Sequence, residues 1–213
     1  KNPLTPIQLT IDKLKSKYSE KIEDHEKDDF SKSLLIIGKQ IKQIENLVNE
    51  FSDFARMPKP ILKDNNLVSL IKDNIKLINE LDNKIIIVFK SDKPTILLNS
   101  DSEQLSRVFF NLIKNSIESI QDKKINNVGL KGKIDIFIDE NEEKINFIII
   151  DNGLGFGIFA DNIKDILNPY FTTKKKGTGL GLSIVNKIIN DHNGKISFTS
   201  LDNGAKIEIM FIK

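Results

Sequence analysis

Residues 174–183 read KKKGTGLGLS, with three lysines ahead of glycines at positions 177, 179 and 181. An apolar run follows and predicts a helix from Leu182 to Asp191. Glycine lets backbone amides approach a ligand closely, and a helix N-terminus adds partial positive charge, so the stretch predicts a phosphate-binding loop. The lysines precede the glycines and no predicted strand precedes the loop, which excludes a Walker A motif and a dinucleotide fingerprint. Taken alone, the loop is equally compatible with a solvated connector.

A long helix is predicted from Glu103 to Gln121, with Asp101 and Ser102 as candidate caps. Asn111 and Asn115 lie four residues apart on one face of this helix, beside apolar residues that favour burial. Asparagine is costly to bury unpaired, but its carbonyl oxygen is a hard ligand suited to Mg²⁺ shared with phosphates. The alternative is a pair of solvated or capping amides.

Asp151 follows a predicted strand, Lys144–Ile150, and opens the glycine-rich stretch DNGLGFG at residues 151–157. A turn-forming role is one interpretation of this aspartate. The residues after Gly157, however, do not read as the partner strand of a tight hairpin. A carboxylate at a strand end can instead accept a hydrogen bond from an exocyclic amine, such as that of adenine.

The last two-thirds of the chain alternates helices and strands unevenly, which favours an α/β sandwich with a mixed sheet over a strict βαβ repeat. A helical period runs from Leu67 to Ile78, and a short helix is predicted near Ile163. The predicted strands are Ile85–Phe89, Thr95–Leu98, Lys133–Ile138, Lys144–Ile150, Ile196–Thr199 and Ala205–Phe211.

The first third carries two apolar heptad patterns, Leu4 to Tyr18 and Leu34 to Ala55, around a polar connector from Glu20 to Asp29. These patterns predict a helical hairpin. A lone pair of such helices leaves much apolar surface in water, so a dimer that forms a four-helix bundle is predicted. The alternative is that both helices pack on the rest of the same chain.

Two prolines mark the domain boundary. Pro58 and Pro60 end the second helix, because proline lacks the amide donor and biases its predecessor out of helical geometry. The predicted domains are residues 1–58 and 61–213. The predicted fold class is therefore α+β, a dimerising helical hairpin followed by a sandwich domain.

Composition excludes several classes of protein. The 32 Lys and Arg residues nearly balance 30 Asp and Glu residues, so no nucleic-acid partner is predicted. The chain has no cysteine, which excludes disulfides, thiolate metal sites and a thiolate nucleophile. No apolar run approaches the ~20 residues that cross a bilayer.

Four motifs, in this order, resemble those of the histidine-kinase family. They are an N-box at Asn111–Ser116, a G1 box at Asp151–Gly155, a Phe-containing box at Pro169–Lys174, and a G2 box at Gly177–Leu182. Any one of them is weak, whereas the conjunction is specific. The resemblance implies that the sandwich is an ATP-binding domain of the Bergerat type.

The resemblance also implies ATP and Mg²⁺ as cofactors. Asn115 would ligate Mg²⁺ with Asn111 beside it, Asp151 would recognise adenine, and the glycine loop would form a lid over the phosphates. The implied ATP-binding residues are Asn111, Asn115, Asp151, Gly153, Gly155, Phe171, Lys174, Gly177, Thr178, Gly179, Leu180, Gly181 and Leu182. The implied catalytic residues are Asn115, Lys114 and Asn2.

The amino end agrees with this resemblance. The residues 1–7, KNPLTPI, look like the tail of an H-box whose phosphoacceptor histidine would lie just before Lys1, and residues 50–60, EFSDFARMPKP, are similar to the helix end of NtrY-type kinases. The resemblance implies a homodimer through residues 1–58. It further implies the cytoplasmic portion of an inner-membrane sensor, attached only through segments absent from this chain, with the receiver domain of an NtrX-like response regulator as partner.

Two departures limit what is carried over. The phosphoacceptor is absent from this chain, so the chain as given is not expected to autophosphorylate. His25 lies in the charged connector, and His192 fits a helix C-terminal cap better than a phosphoacceptor. Ala205 stands where many relatives place a threonine near adenine.

Two alternatives from other classes stay open. The first is a catalytically inert ATP-binding dimeric scaffold or phosphatase. The family resemblance itself implies that Asn2 helps to orient water for dephosphorylating the regulator; the alternative role of Asn2 is a polar residue ahead of the Pro3 kink. The second is an ATP-hydrolysing clamp of the related ATPase superfamily.

Overall fold

In a computed structural model, residues 4–19, 21–81, 84–156, 165–172 and 177–213 are described. They belong to two compact units, one ending at Met57 and the other beginning at Pro58. Within the described ranges, no helix combines the length and the apolar character needed to cross a membrane. The predicted short helix near Ile163 lies outside the described residues.

The first unit is a helical hairpin of α1, Thr5–Tyr18, and α2, Asp24–Ala55. Ile11 of α1 is buried with Leu34 and Ile41 of α2, and these three side chains form the core between the helices. The heptad patterns predicted these contacts, because apolar residues at alternating spacings of three and four share one helix face. The predicted hairpin is confirmed.

The connector between the two helices is shorter than predicted. Helix α2 begins at Asp24, so the prediction of a polar connector up to Asp29 was wrong. Acidic residues early in a helix interact favourably with its dipole, and Asp28 also pairs with Lys32 one turn later at 2.7 Å. The charge run that suggested a connector is therefore the first two turns of the helix.

The second unit is a mixed five-stranded sheet with helices packed on it. The helices are α3, Leu67–Leu81, α4, Ser102–Asn126, and α5, Gly181–Asp191. The strands are β2, Ile86–Ser91, β4, Lys133–Glu140, β5, Lys144–Asp151, β6, Gly194–Leu201, and β7, Gly204–Ile212. Their order in the sheet is β2-β4-β5-β7-β6, and of these neighbours only β2 and β4 are parallel. Helix α4 contacts strands β4 and β5 and packs between α3 and α5.

The sheet buries one face against α4. Alternate residues of β4 and β5 are buried, as the period of two along a strand requires. Phe147 of β5 packs on Phe109 of α4, with ring centroids 4.9 Å apart. The predicted α+β class, with its mixed sheet in an α/β sandwich, is confirmed.

A small two-stranded sheet was only half predicted. The strand predicted at Thr95–Leu98 is β3, Leu97–Ser100, and it pairs antiparallel with β1, Lys63–Asn66. The sequence of β1, KDNN, has no β-branched or aromatic residue and is at most half-buried, so no pattern marks it as a strand. Residues 63–66 form a strand only through their pairing with β3.

His192 links the C-terminal end of α5 to the N-terminal end of α4. Asp101 caps α4, as predicted, by accepting hydrogen bonds from the amides of Glu103 and Gln104 at 3.1 and 3.0 Å. His192, the buried C-cap of α5, accepts the Asp101 amide hydrogen through Nε2 at 2.9 Å. Its Nδ1 therefore carries a proton and donates to the Ile188 carbonyl at 2.8 Å. The predicted capping role of His192 agrees with this geometry.

Candidate nucleotide-binding site

A polar stripe on α4 lies at the centre of the site. Asn111, Asn115, Ser119 and Lys123 follow one another at intervals of four residues, so they share one face of the helix. Asn111 donates from Nδ2 to the Arg107 carbonyl at 2.8 Å, which holds the amide side chain in a fixed orientation. A Cβ added to Gly181 would lie 3.7 Å from Asn111 Oδ1, so this amide oxygen faces the start of α5.

The other half of the stripe holds the turn after β5. Ser119 Oγ accepts the Leu154 amide hydrogen at 2.9 Å, and Lys123 Nζ donates to the carbonyls of Asn152 and Gly153 at 3.1 and 2.8 Å. Neither Ser119 nor Lys123 was among the predicted site residues. The signal that could have found them is the four-residue period that Asn111 and Asn115 begin.

Two glycines of the G1 box are required by close packing. A Cβ at Gly153 would lie 2.3 Å from Ser119 Oγ. Gly155 has φ +71°, and a Cβ there would lie 2.6 Å from the Gly204 carbonyl oxygen. The G1 box therefore packs between α4 on one side and the beginning of β7 on the other.

Asp151 is a buried carboxylate at the end of β5. It is 5% exposed, and its Oδ1 accepts the Gly153 amide hydrogen at 2.9 Å. Burial raises the pKa of this carboxyl above the ordinary value of 3.8, although the amides of Gly153 and Ala205 and the Ser116 hydroxyl oppose the shift. Perturbed carboxyls of this kind are enriched at functional sites.

The described parts of the Phe-containing box and the G2 box lie against each other. Gly179 has φ +72°, and a Cβ there would lie 2.4 Å from the Tyr170 carbonyl carbon. The Tyr170 amide donates to the Gly179 carbonyl at 3.1 Å, and Phe171, which is half-buried, donates to the Asn168 carbonyl at 3.2 Å. Gly179 is thus fixed by backbone contacts with the preceding motif.

One residue of the G2 box is fully buried and anchors the start of α5. Leu180 is fully buried and is the N-cap residue of α5. Ser183 donates from Oγ to the Leu180 carbonyl at 2.9 Å. Thr178, Gly181 and Leu182 are half-buried and flank this anchor, so the amides at the start of α5 are held in place beside the N-box.

Of the other predicted site residues, Lys114 and Gly177 take no part in these contacts. Lys114 is exposed, and its Nζ lies 3.9 Å from Glu118 Oε1 on the same helix. Gly177 is exposed. Asn2 and Lys174 lie outside the described residues. An open groove of about 410 Å³ between α3 and Phe89 of β2 contains none of the predicted site residues.

The residues present fit a magnesium ion bound mainly through phosphates. In the described part of the chain, no group of three or more His, Asp or Glu side chains could hold a metal alone. Mg²⁺ in nucleotide sites keeps several waters and binds one or two protein oxygens plus substrate phosphates. The half-buried Asn115, on the stripe that reaches the start of α5, supplies one oxygen of the suitable kind.

Comparison with known proteins gives consistent matches. Residues 100–213 match the family described as Histidine kinase-, DNA gyrase B-, and HSP90-like ATPase. An NtrY-like sensor histidine kinase of Rickettsia prowazekii (strain Madrid E) is 36% identical over 212 residues, covering 99% of this chain and 34% of that protein. Nitrogen regulation protein NtrY of Azorhizobium caulinodans is 35% identical over 205 residues, covering 96% of this chain and 26% of that protein.

A solved structure matches both units. Histidine kinase ThkA, crystallised in complex with the response regulator protein TrrA, has a TM-score of 0.70 and 26% identity. The match covers 98% of this chain and 57% of ThkA. The chain thus spans about a third of the length of the Rickettsia relative and little more than half of the ThkA chain.

Proposed function

The chain belongs to the family of histidine kinase-, DNA gyrase B- and HSP90-like ATPases, as a sensor histidine kinase of the NtrY type, and we propose that it is the kinase core of a two-component sensor. In this proposal it binds Mg·ATP, phosphorylates a histidine just upstream of Lys1, and passes the phosphoryl group to an aspartate of an NtrX-like response regulator. The proposed core is the cytoplasmic portion of an inner-membrane sensor.

The observation that carries the proposal is the convergence of two glycine-rich segments on the polar stripe of α4. The stripe faces the start of α5 through Asn111 and holds the turn after Asp151 through Ser119 and Lys123. A buried carboxylate, a helix N-terminus and aligned amides complement the amine, the phosphates and the metal of Mg·ATP. A structural turn or a solvated loop requires no such arrangement.

In the proposed reaction the chain mainly positions the reactants. Asp151 orients the base, the amides at the start of α5 bind phosphate oxygens, and Lys174 adds positive charge. Mg²⁺, when bound, offsets negative charge on the transferring phosphoryl group, and Asn115 would give it a carbonyl oxygen. A ring nitrogen of a neutral imidazole forms a bond to the γ-phosphorus, the bond from that phosphorus to the bridging oxygen breaks, and ADP leaves.

The exposed heptad positions of the first unit support a homodimer through residues 1–58. Six apolar side chains at these positions are between 38 and 47% exposed in the single chain: Ile7, Leu14, Ile37, Ile44, Val48 and Phe51. A contiguous apolar face of this kind is typical of an interface. A second copy of the hairpin would bury it and complete a four-helix bundle.

The full-length protein, reaching upstream through the predicted histidine, tests the proposal when incubated with γ-labelled ATP. We expect an acid-labile, alkali-stable label that disappears when that histidine is replaced. Binding of Mg·ATP without a label would instead support the scaffold or phosphatase alternative. Release of free phosphate without a label would support the ATP-hydrolysing clamp.

Asn115→Ala tests the metal assignment. Removing the carbonyl oxygen is expected to weaken Mg·ATP binding on the order of tenfold or more. Binding of ATP in the presence of EDTA should change little, because the lost contact is to the metal. Titration calorimetry with and without Mg²⁺ measures both affinities.

Asn79→Ala is the matched control, because Asn79 is an exposed asparagine inside α3. It should leave both affinities as they are in the parent protein. Equal affinities of the parent protein and Asn115→Ala for Mg·ATP would show that Asn115 does not bind the metal.

A further inference from the structure

Strand β2 lies at one edge of the five-stranded sheet, and its outer side is open. Among the described residues of the second unit, β2 pairs with β4 and with no other strand. The amides of Ile86 and Asp92 donate toward β4, at 3.0 and 3.3 Å. Because backbone groups point to alternate sides along a strand, the amides and carbonyls of Ile87 and Phe89 point away from β4. These groups form an edge to which a further strand can add.

The side chains of β2 do not protect this edge from pairing. Natural edge strands usually carry charges, prolines or bulges that oppose the addition of another chain. Residues 85–89 are instead five consecutive β-branched or aromatic residues, IIIVF, and Ile86 is 59% exposed. The one charged residue inside β2, Lys90, has its Nζ 5.9 Å from the centroid of the Phe137 ring. Phe137 is the cross-strand partner of Lys90, so this charge lies over the face of the sheet and not beyond its edge.

A groove beside this edge has room for the side chains of an added strand. It has a volume of about 410 Å³ and lies between α3 and β2, with Ile75 and Phe89 as its apolar part. Its polar part carries both signs of charge, from Lys72, Lys76 and Glu80. A peptide of one charge sign would leave part of this lining unmatched. A second copy of the same surface, related by a two-fold axis, carries both signs and an apolar part.

We propose that β2 pairs antiparallel with β2 of a second copy of this chain, which joins the two sheets across a two-fold axis. The axis passes beside Val88, so that Val88 faces Val88 of the second copy. Ile87 then lies opposite Phe89 of the second copy and exchanges two backbone hydrogen bonds with it. The side chains of that pair lie on the face that contains the groove, where they form an apolar cross-strand contact. This contact belongs to the second unit and is separate from the proposed hairpin interface.

The charges that flank β2 favour this position of the axis over its neighbours. An axis at Val88 places Lys84 opposite Asp92 of the second copy, and the two-fold axis repeats that pair. An axis one residue earlier places Lys84 opposite Lys90, and like charges directly opposite each other are destabilising. An axis one residue later places Asp92 opposite Ile86, which gives the carboxylate no charged partner across the pair. Among these registers, the edge is therefore self-complementary in the one centred on Val88.

Val88→Cys in the full chain tests this pairing, because the chain has no cysteine of its own. The backbone groups of the two Val88 residues point away from each other, and such antiparallel pairs have Cα atoms about 4.5 Å apart. That distance suits a disulfide, whose Cα atoms are usually about 4.4–6.8 Å apart. We expect Val88→Cys to form a disulfide-linked dimer under mild oxidation at least about tenfold faster than Lys90→Cys. Non-reducing gel electrophoresis over time measures both rates.

Lys90→Cys is the matched control within β2, because Lys90 lies opposite Ile86 in the proposed register. The two introduced cysteines are then four residues apart along the strands, about 13 Å, which a disulfide does not span. Thr199→Cys gives the rate of random collision, since Thr199 is exposed in β6 at the other edge of the sheet. Both controls should form dimers at the same slow rate. Reduced Val88→Cys should melt at nearly the same temperature as the parent protein.

A charge reversal tests the register separately. In the Val88→Cys protein, Asp92→Lys places Lys84 opposite a second lysine and should slow dimer formation about fivefold or more. Adding Lys84→Asp restores opposite charges across the axis and should restore the rate. A structural role of either residue within its own chain predicts no such rescue.

Each contrary outcome has a separate meaning. Equal rates for Val88→Cys and Thr199→Cys would show that β2 stays unpaired in the full chain, and a faster rate for Lys90→Cys would show a different register; either result overturns the inference. Dimer formation by Val88→Cys that Asp92→Lys leaves unchanged would overturn the charge pairing. None of these measurements requires a nucleotide, so a failure of the parent protein to bind ATP would bear on the proposed function alone.

Discussion

Replacing Gly204 with alanine is expected to destabilise the second unit by at least about 3 kcal/mol and to abolish nucleotide binding by the same chain. Gly204 has φ +124°, a backbone conformation that side chains other than glycine rarely adopt. An added Cβ would lie 1.8 Å from the Asp151 carbonyl oxygen and 2.9 Å from the Asn152 Cα. Both atoms belong to the backbone of the neighbouring segment, so no side-chain rotation relieves the overlap.

The substitution would separate β5 from β7 at the point where the site is built. Asp151 pairs with Ala205, the residue after Gly204, and Gly155 packs on the Gly204 carbonyl. Loss of this contact should displace the carboxylate that the proposed function assigns to adenine. Urea denaturation followed by circular dichroism measures the stability, and titration with ATP at low temperature measures binding.

Gly129→Ala makes the same chemical change where it should be harmless. The nearest atom to a Cβ at Gly129 is a side-chain oxygen of Asn127 at 3.9 Å, which is ordinary contact. This variant should unfold within about 0.5 kcal/mol of the parent protein. If Gly204→Ala were as stable as Gly129→Ala, the close approach of β7 to the Asp151 backbone would be wrong.

The larger elements could be predicted because a regular spacing of apolar residues extends along most of each one. Every second residue is buried through most of β4 and along all of β5, and α1 and α2 carry heptads. Strand β1 has neither feature. Its four polar residues become a strand only because β3 lies beside them, and a contact between segments thirty residues apart leaves no local pattern.

The heptads show a different limit of sequence reasoning. They indicate which faces of α1 and α2 are apolar, and the core of Ile11, Leu34 and Ile41 follows from them. They do not indicate what covers the part of the stripe that this core leaves exposed, such as Ile44 and Phe51. The choice between a second copy and another partner depends on the shape and chemistry of the partner surface.

The candidate site likewise contains some residues that could be predicted from the sequence and some that could not. The glycines and Asp151 were predicted because their chemistry is unusual for their position in the sequence. Ser116, Ser119 and Lys123 were not, because a serine or a lysine on a helix is ordinary until the fold brings a carbonyl, an amide or a carboxylate to it. Lys123 contacts Gly153, thirty residues away, and only the sheet that carries Gly153 makes that contact available.

Asp151→Asn is expected to weaken ATP binding about a hundredfold or more while leaving the free protein as stable as the parent or more so. Asparagine keeps an oxygen for the Gly153 amide, which Asp151 Oδ1 accepts at 2.9 Å. Its amide nitrogen, however, would present a donor to the donor N–H of the adenine amino group. Titration calorimetry and thermal denaturation measure the two effects separately, and Asp202→Asn in the exposed turn before β7 is the control for a lost negative charge.

The direction of the stability change follows from the pKa of Asp151. Because burial raises that pKa above 3.8, the folded protein holds the proton more tightly than the unfolded chain, so this stabilisation is present at low pH and is lost as the pH rises through the raised value. At neutral pH the ionised group therefore opposes folding, and a neutral asparagine removes that opposition. ATP binding needs the ionised carboxylate, so the affinity of the parent protein for ATP should fall as the pH is lowered through the raised pKa of Asp151. The residual affinity of Asp151→Asn for ATP should lack this pH dependence. A variant that was less stable than the parent, or that bound ATP within about threefold of it, would mean that the carboxylate serves the fold and not the nucleotide.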